Sequence, residues 1–341
     1  MRIRFAYFCG LALLLTGSPV MSLAAPQITP YIAIHTSAKY THLPAMPYAN
    51  PTARKGGRII YADNGTFDNL NGMNGKGSWV EGTNYVFDTL MAKSLDEPNV
   101  FYPLLAEKVR FDPDKTSDIV YYLNPKARFS DGSPLTASDV KFSFDKYLKE
   151  SNPGLQMYLS DVDQVQVLGP HTVRMTFKSA NNAEMPGILS QMPIFSQKDW
   201  LGKDFSKITL RPILGSGPYT IKQIDPGRSI TYQRNPNYWG RNLPVNRGRY
   251  NFDQIKYVYY RNQDVAFEGF KSGQYTFHEE LTSRKWMTEY HFPAVKQGLV
   301  KKYEITLRNP APTQSYIFNT RRAPLNDIYF RQALTYAYDF E

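Results

Sequence analysis

Histidine, cysteine, serine and paired carboxylates supply most enzymatic and metal-binding chemistry, and in this chain none of them falls at a working spacing. His278-Glu279-Glu280-Leu281 opens like a zinc-protease helix but lacks the second histidine. The five histidines, at 35, 42, 171, 278 and 291, show no ligand spacing, so neither a metal nor a cofactor is expected. Gly75-Lys76-Gly77-Ser78 has the composition of a phosphate loop, but Gly77 interrupts the Gly-Lys-[Ser/Thr] order and no strand precedes it at the required place. Gly215-Ser216-Gly217 is not the spacing of a nucleophile elbow. Asp161 and Asp163 alternate on a polar stretch and read as solvated residues rather than as an acid and base flanking a bond. The residue types point to binding instead of covalent chemistry.

Aromatic usage fits that reading. The chain has 25 Tyr and 20 Phe, and a tyrosine ring with its hydroxyl suits a wet cleft, although many of these rings also alternate along strands and serve to fill a sheet face. Arg2 and Arg4, the apolar run Phe5 to Leu15 and Ser22-Leu23-Ala24 form a signal peptide over residues 1–24, cleaved after Ala24 or Ala25. The apolar run is too short to span a membrane. Cys9, the only cysteine, lies inside the signal without the context of a lipoprotein cleavage site, so the exported chain is expected to be soluble, periplasmic and free of disulfides. Its stability must then come from a sizeable core, which a 42% hydrophobic fraction can build. Net charge is +10, two of it from the signal, with no run of five like charges. That is a solvated basic surface and not a nucleic-acid site.

The elements that would position a cleft can be placed from periodicity and turn chemistry. Residues 26–56 read as a largely irregular arm ending at Lys55-Gly56-Gly57, followed by a strand over Arg58–Ala62. Val86, Phe87 and Leu90 predict a helix over Tyr85–Leu95. Thr136-Ala137-Ser138-Asp139 is a capping box, and Val140, Phe144, Tyr147 and Leu148 mark the buried face of the helix it opens. Val173, Met175 and Phe177 alternate as a strand, Tyr219–Arg234 reads as a hairpin about Asp225-Pro226-Gly227, and Ile255, Tyr257 and Tyr259 form a further strand. Ala266, Phe267 and Phe270 predict a helix stopped by Gly273, and a last amphipathic helix runs from Asn326 to Glu341. Strands alternating with helices indicate an α/β fold.

Several blocks, in order, resemble the large peptide- and nickel-type periplasmic solute-binding proteins of ABC importers, in particular the Yej subgroup associated with oligopeptide and microcin C uptake. They are Lys55-Gly56-Gly57 with Thr66-Phe67-Asp68-Asn69-Leu70-Asn71, then Asp88-Thr89-Leu90-Met91, Asp96-Glu97-Pro98 and Pro103-Leu104-Leu105-Ala106-Glu107. Arg128 to Val140 is the most recognisable, and Gly215-Ser216-Gly217-Pro218-Tyr219, Asn235-Pro236-Asn237-Tyr238-Trp239 and Leu243-Pro244-Val245-Asn246-Arg247-Gly248 follow. Thr276 and Ile328-Tyr329-Phe330 depart from the pattern.

The resemblance implies a two-lobed periplasmic-binding-protein fold with an additional inserted domain and an incomplete second lobe. Its parts are a discontinuous main lobe (25–100 and 180–260), the inserted domain (101–179) and the start of the second lobe (261–341), the chain corresponding to an N-terminal portion of the family. It implies an extracytoplasmic receptor for an oligopeptide or peptide-like ligand, delivering to permease subunits at the inner membrane. Hinges are expected at Ser216, Gly217 and Pro218 and at Tyr260, Arg261 and Asn262. Ligand contacts are expected from Gly65, Thr66 and Phe67 by strand addition, from Tyr158, and from Glu280, Thr282 and Trp286. The same residues also suit a turn, surface or core packing. An exported hydrolase and a truncated, non-functional family member are the competing readings.

Overall fold

The computed structural model describes residues 27–112, 115–179, 182–306 and 315–338; the expected signal peptide lies outside them. In chain order the strands are β1 (Gln27–Thr29), β2 (Ile32–Ala33), β3 (Arg58–Asn64), β4 (Met91–Lys93), β5 (Val100–Pro103), β6 (Ala106–Phe111), β7 (Asp118–Leu123), β8 (Val162–Gly169), β9 (Thr172–Phe177), β10 (Tyr219–Asp225), β11 (Ser229–Arg234) and β12 (Gln254–Tyr260). The helices are α1 (Ala137–Glu150), α2 (Pro153–Tyr158), α3 (Met185–Ser190), α4 (Gln197–Trp200), α5 (Gln263–Lys271), α6 (Ser283–Thr288), α7 (Pro293–Lys296) and α8 (Ile328–Ala337). The chain divides into two compact units, one reaching Val300 and one from Lys301; the second holds α8. Within the first unit, α5 packs against β3 and β12.

Three sheets build the first unit. A five-stranded sheet runs β1-β6-β7-β9-β8, all antiparallel, and recruits β1 from the N-terminal arm. A four-stranded sheet runs β10-β11-β12-β3, and a small one β2-β5-β4. In the first, Val173, Met175 and Phe177 point inward as their alternation requires, and α1 covers them. Helix α1 starts where its sequence dictates: the Thr136 amide and hydroxyl donate to Asp139 Oδ2 at 2.9 and 3.0 Å, closing the capping box. Its Val140, Phe144 and Tyr147 are fully buried, each such side chain contributing roughly 1.5–3 kcal/mol of hydrophobic stabilisation. The Asp225-Pro226-Gly227 turn joins β10 to β11, with Gly227 at φ 71°.

The expected helix over Tyr85–Leu95 does not form. Only a 3-10 turn at Thr83–Tyr85 precedes β4. The carbonyls a helix would use internally are committed elsewhere. Val86 O accepts the Gly217 amide at 2.8 Å, Asp88 O the Ile194 amide at 3.1 Å, and Leu90 O the Ala106 amide at 2.7 Å. Residues 85–88 thus run against residues 215–217, where the backbones approach so closely that a Cβ on Gly215 would collide with the Val86 carbonyl. No helix among the described residues is long and apolar enough to cross a membrane.

Candidate functional site

β3 lies parallel to β12, with Ile59 opposite Ile255 and Tyr61 opposite Tyr257. The main-chain groups of its odd-numbered residues face β12, a direction continued by the Gly65 amide, which donates to Tyr260 O at 2.8 Å. Ile60 faces the other way. Its carbonyl accepts the amides of Thr276 (2.9 Å) and Phe277 (3.2 Å), and its own amide donates to Thr276 Oγ1 at 2.9 Å. By the two-residue repeat Ala62 and Asn64 open in the same direction as Ile60. The Asn64 amide is taken by Asp63 Oδ1 (2.7 Å), and the Ala62 N–H faces the Phe277 carbonyl across an isolated parallel bridge of Tyr61 with Phe277, but the Ala62 C=O has no hydrogen-bond partner among the described residues. The strand therefore ends in an open edge.

That edge borders a cavity of about 510 Å³. Tyr61 to Asn64, Glu81, Tyr85 and Tyr257 line one side; Phe267, Tyr275, Phe277 to Thr282 and Lys285 line the other. Helix α5 holds the far wall in place through Asn262, whose side chain accepts the Val265 amide at 2.9 Å, and Gly273 ends the helix in the left-handed region at φ 75°. The aromatic wall is tied together by the Tyr275 hydroxyl at 2.8 Å from His278 Nδ1 and by the Phe270 ring stacked 5.1 Å from the same imidazole.

The lining is acidic. Asp63, Glu81, Glu279 and Glu280 all reach it, while Lys285 is drawn to Asp264 at 2.7 Å. Burial, with Asp63 close by, pushes the Glu81 carboxyl above the usual carboxylate range. Glu280 goes the other way. Burial alone would raise it, but hydrogen bonds from the Thr282 amide (2.8 Å) and the Tyr290 hydroxyl (3.1 Å), with His278 nearby, hold it below that range. Burial lowers the pKa of His278 and favours its neutral form. The arrangement offers an unpaired main-chain acceptor at the end of a strand edge next to carboxylates, a surface for a peptide-like chain with a positive end.

Of the residues singled out from sequence, Glu280 and Thr282 stand in this cavity wall. Gly65, Thr66 and Phe67 lie just past the open edge: the Gly65 amide is committed to Tyr260, Thr66 Oγ1 donates to Gly227 O at 3.3 Å, and Phe67 is buried with its ring 4.9 Å from that of Tyr259. The free main-chain acceptor sits slightly upstream, because the ladder with β12 runs to Tyr260 and consumes the Gly65 amide. Tyr158, at the end of α2, and Trp286, on α6 with its ring 5.7 Å from Tyr290, are not part of the lining. Ser216, Gly217 and Pro218 are buried against residues 85–88, whereas Arg261 and Asn262 at the β12–α5 joint are exposed. Sequence reasoning missed Ala62 to Asn64, although strand parity alone singles out the even-numbered groups, and it missed Glu81, for which no local pattern exists.

The family model described as "Bacterial extracellular solute-binding proteins, family 5 Middle" matches residues 100–341. The "Probable peptide-binding protein YejA" of Agrobacterium fabrum is 41% identical over 303 residues, covering 86% of this chain and 49% of its own length. The "Peptidoglycan-binding protein YepA" of the same organism is 38% identical over 352 residues, covering 97% of this chain and 57% of its own. Among solved structures, the oligopeptide-binding protein AppA of Bacillus subtilis, in complex with a nonapeptide, superposes with a TM-score of 0.59 at 19% identity over 70% of this chain and 47% of its own. The chain thus spans about half the length of the curated relatives it matches. It has the α/β fold of the periplasmic binding proteins, and by the match over residues 100–341 it belongs to family 5 of the bacterial extracellular solute-binding proteins.

Proposed function

We propose that this chain is the ligand-binding part of an exported receptor that captures an oligopeptide or peptide-like solute and presents it to the permease of an ABC importer. The observation that carries the reading is the unpaired Ala62 carbonyl, where the edge of β3 runs past its bridge to Phe277, bordering an acidic cavity. A ligand backbone continues the sheet there, in a mode tolerant of side-chain identity, and its ammonium end meets Asp63, Glu81 and Glu279. Residues 1–24 act as the export signal. Closure turns on the Tyr260-Arg261-Asn262 joint, whose Arg261 and Asn262 are exposed. The peptide-binding and peptidoglycan-binding relatives support a peptide or a sugar-bearing peptide as the ligand class.

The test is native mass spectrometry and thermal melting of the full-length protein purified from its host, before and after unfolding to strip bound solute. A stoichiometric peptide-sized ligand is expected, its removal lowering stability by about 2.7 kcal/mol at a ligand concentration of about 100 Kd. Asp63→Asn, which removes a carboxylate proposed to meet the ammonium end while keeping the Oδ1 that accepts the Asn64 amide, should weaken that ligand about tenfold and leave the melting of the stripped protein unchanged. Absence of ligand together with turnover of a peptide or glycan would replace the receptor with a hydrolase.

A further inference from the structure

On the same face of the four-stranded sheet, toward the start of β3, lies a second cavity of about 420 Å³. Ile59 and Ile255, opposite one another in the ladder, both line it, and Tyr61 and Tyr85 line both cavities. Tyr48, Tyr219, Tyr250 and Arg249 complete the part that matters here.

Two features set this space apart from a packing gap. The first is backbone strain. Tyr250 sits at φ 56°, a left-handed conformation that a bulky residue adopts only when its surroundings impose it, and Gly248 precedes it at φ 79°. The double bend sets the Tyr250 ring edge-on to those of Tyr219 and Tyr238, each at 6.3 Å, with the Arg249 guanidinium 5.1 Å from its centre. The second is unused hydrogen-bonding capacity. The Tyr219 hydroxyl donates to Phe252 O at 2.7 Å, but those of Tyr61 and Tyr250 have no partner among the described residues. Ring faces, free hydroxyls and a guanidinium together favour a flat group with a polar tip over an aliphatic one. The ring gains edge-to-face contacts, and an oxygen at its far end meets donors that an alkyl group would leave desolvated.

We infer that this second cavity takes an aromatic side chain, best a phenol, of the ligand held at the Ala62 edge, so that the receptor selects peptides by a ring at one position. The inference rests on the peptide reading above. Tyr61 adjoins Ala62 and lines both cavities, so the side chain passes over its ring to reach the second.

Calorimetry on the full-length protein with tetra-alanine and its single Tyr, Phe and Leu substitutions at each position tests it. One position is expected where Tyr binds about tenfold tighter than Leu, the size of a good aromatic contact with its hydrogen bond. Tyr250→Gly, which suits the left-handed φ and so preserves the loop, should abolish that advantage and leave tetra-alanine binding unchanged. Equal affinity of Tyr and Leu peptides at every position, or an advantage that survives Tyr250→Gly, overturns the inference while the peptide reading stands. Failure of every peptide to bind the unsubstituted protein overturns both.

Discussion

Asp88 shows what burial does to a carboxylate that has hydrogen bonds and no ion pair among the described residues. It accepts from the Tyr238 hydroxyl (2.7 Å) and the Trp239 indole (2.8 Å), and Asn246 donates to that same Tyr238 oxygen at 2.9 Å. Desolvation outweighs these bonds and pushes its pKa up to about 7. A carboxyl whose folded pKa exceeds its unfolded value near 3.9 contributes stability that is complete below the unfolded pKa and is lost as pH rises through the folded one. The difference corresponds to about 4 kcal/mol. The melting temperature should therefore fall between about pH 4 and pH 7 and level off above, and Asp88→Asn should flatten that profile; two parallel profiles would refute the assignment. The sequence shows Asp88 within a family block but not its role, since its partners lie 150 and 151 residues away.

At the scale of elements, local chemistry was legible where it was also sufficient. The capping box of α1 and the Asp225-Pro226-Gly227 hairpin were readable because a few adjacent residues satisfy one another. Residues 85–95 were misread because Val86, Phe87 and Leu90 carry a helical spacing while their backbone answers to Gly217, Ile194 and Ala106. Asp139 joins both situations. It closes the capping box and, through Oδ1, accepts the Gln197 amide at 2.9 Å, fastening α1 to the start of α4. Asp139→Ala should lower unfolding stability by about 2 kcal/mol, more than an ordinary cap, because the part-buried Gln197 amide from a second element also loses its acceptor. The urea midpoint with an unchanged slope reads this directly.

Across the whole molecule, the α/β class and several single strands followed from periodicity and the family blocks, whereas the sheet orders and most of the site did not. Ala62, Glu81 and Lys285 meet only through long-range packing, and nothing near any of them in sequence announces the others. The unit from Lys301 leaves large apolar side chains in solvent, among them Ile305, Ile317 and Tyr336, with Ile317 at 94% exposure. Such surface drives association. A chain of these 341 residues should show concentration-dependent sedimentation in the micromolar range, and removing residues 301–341 should abolish it; a concentration-independent monomer would mean that these side chains find cover within the chain. The parallel pairing of β3 with β12 bears on a different matter, the order in which the protein acquires its properties. Arg58 meets Gln254, 196 positions further along the chain, and Thr276, which borders the other edge, comes later still. Closing so long a loop is slow, and until it closes β3 has a neighbour on neither side. The edge proposed to meet a ligand is thus completed after most of the first unit has been synthesised, so on that proposal recognition would be among the last abilities the folding chain gains.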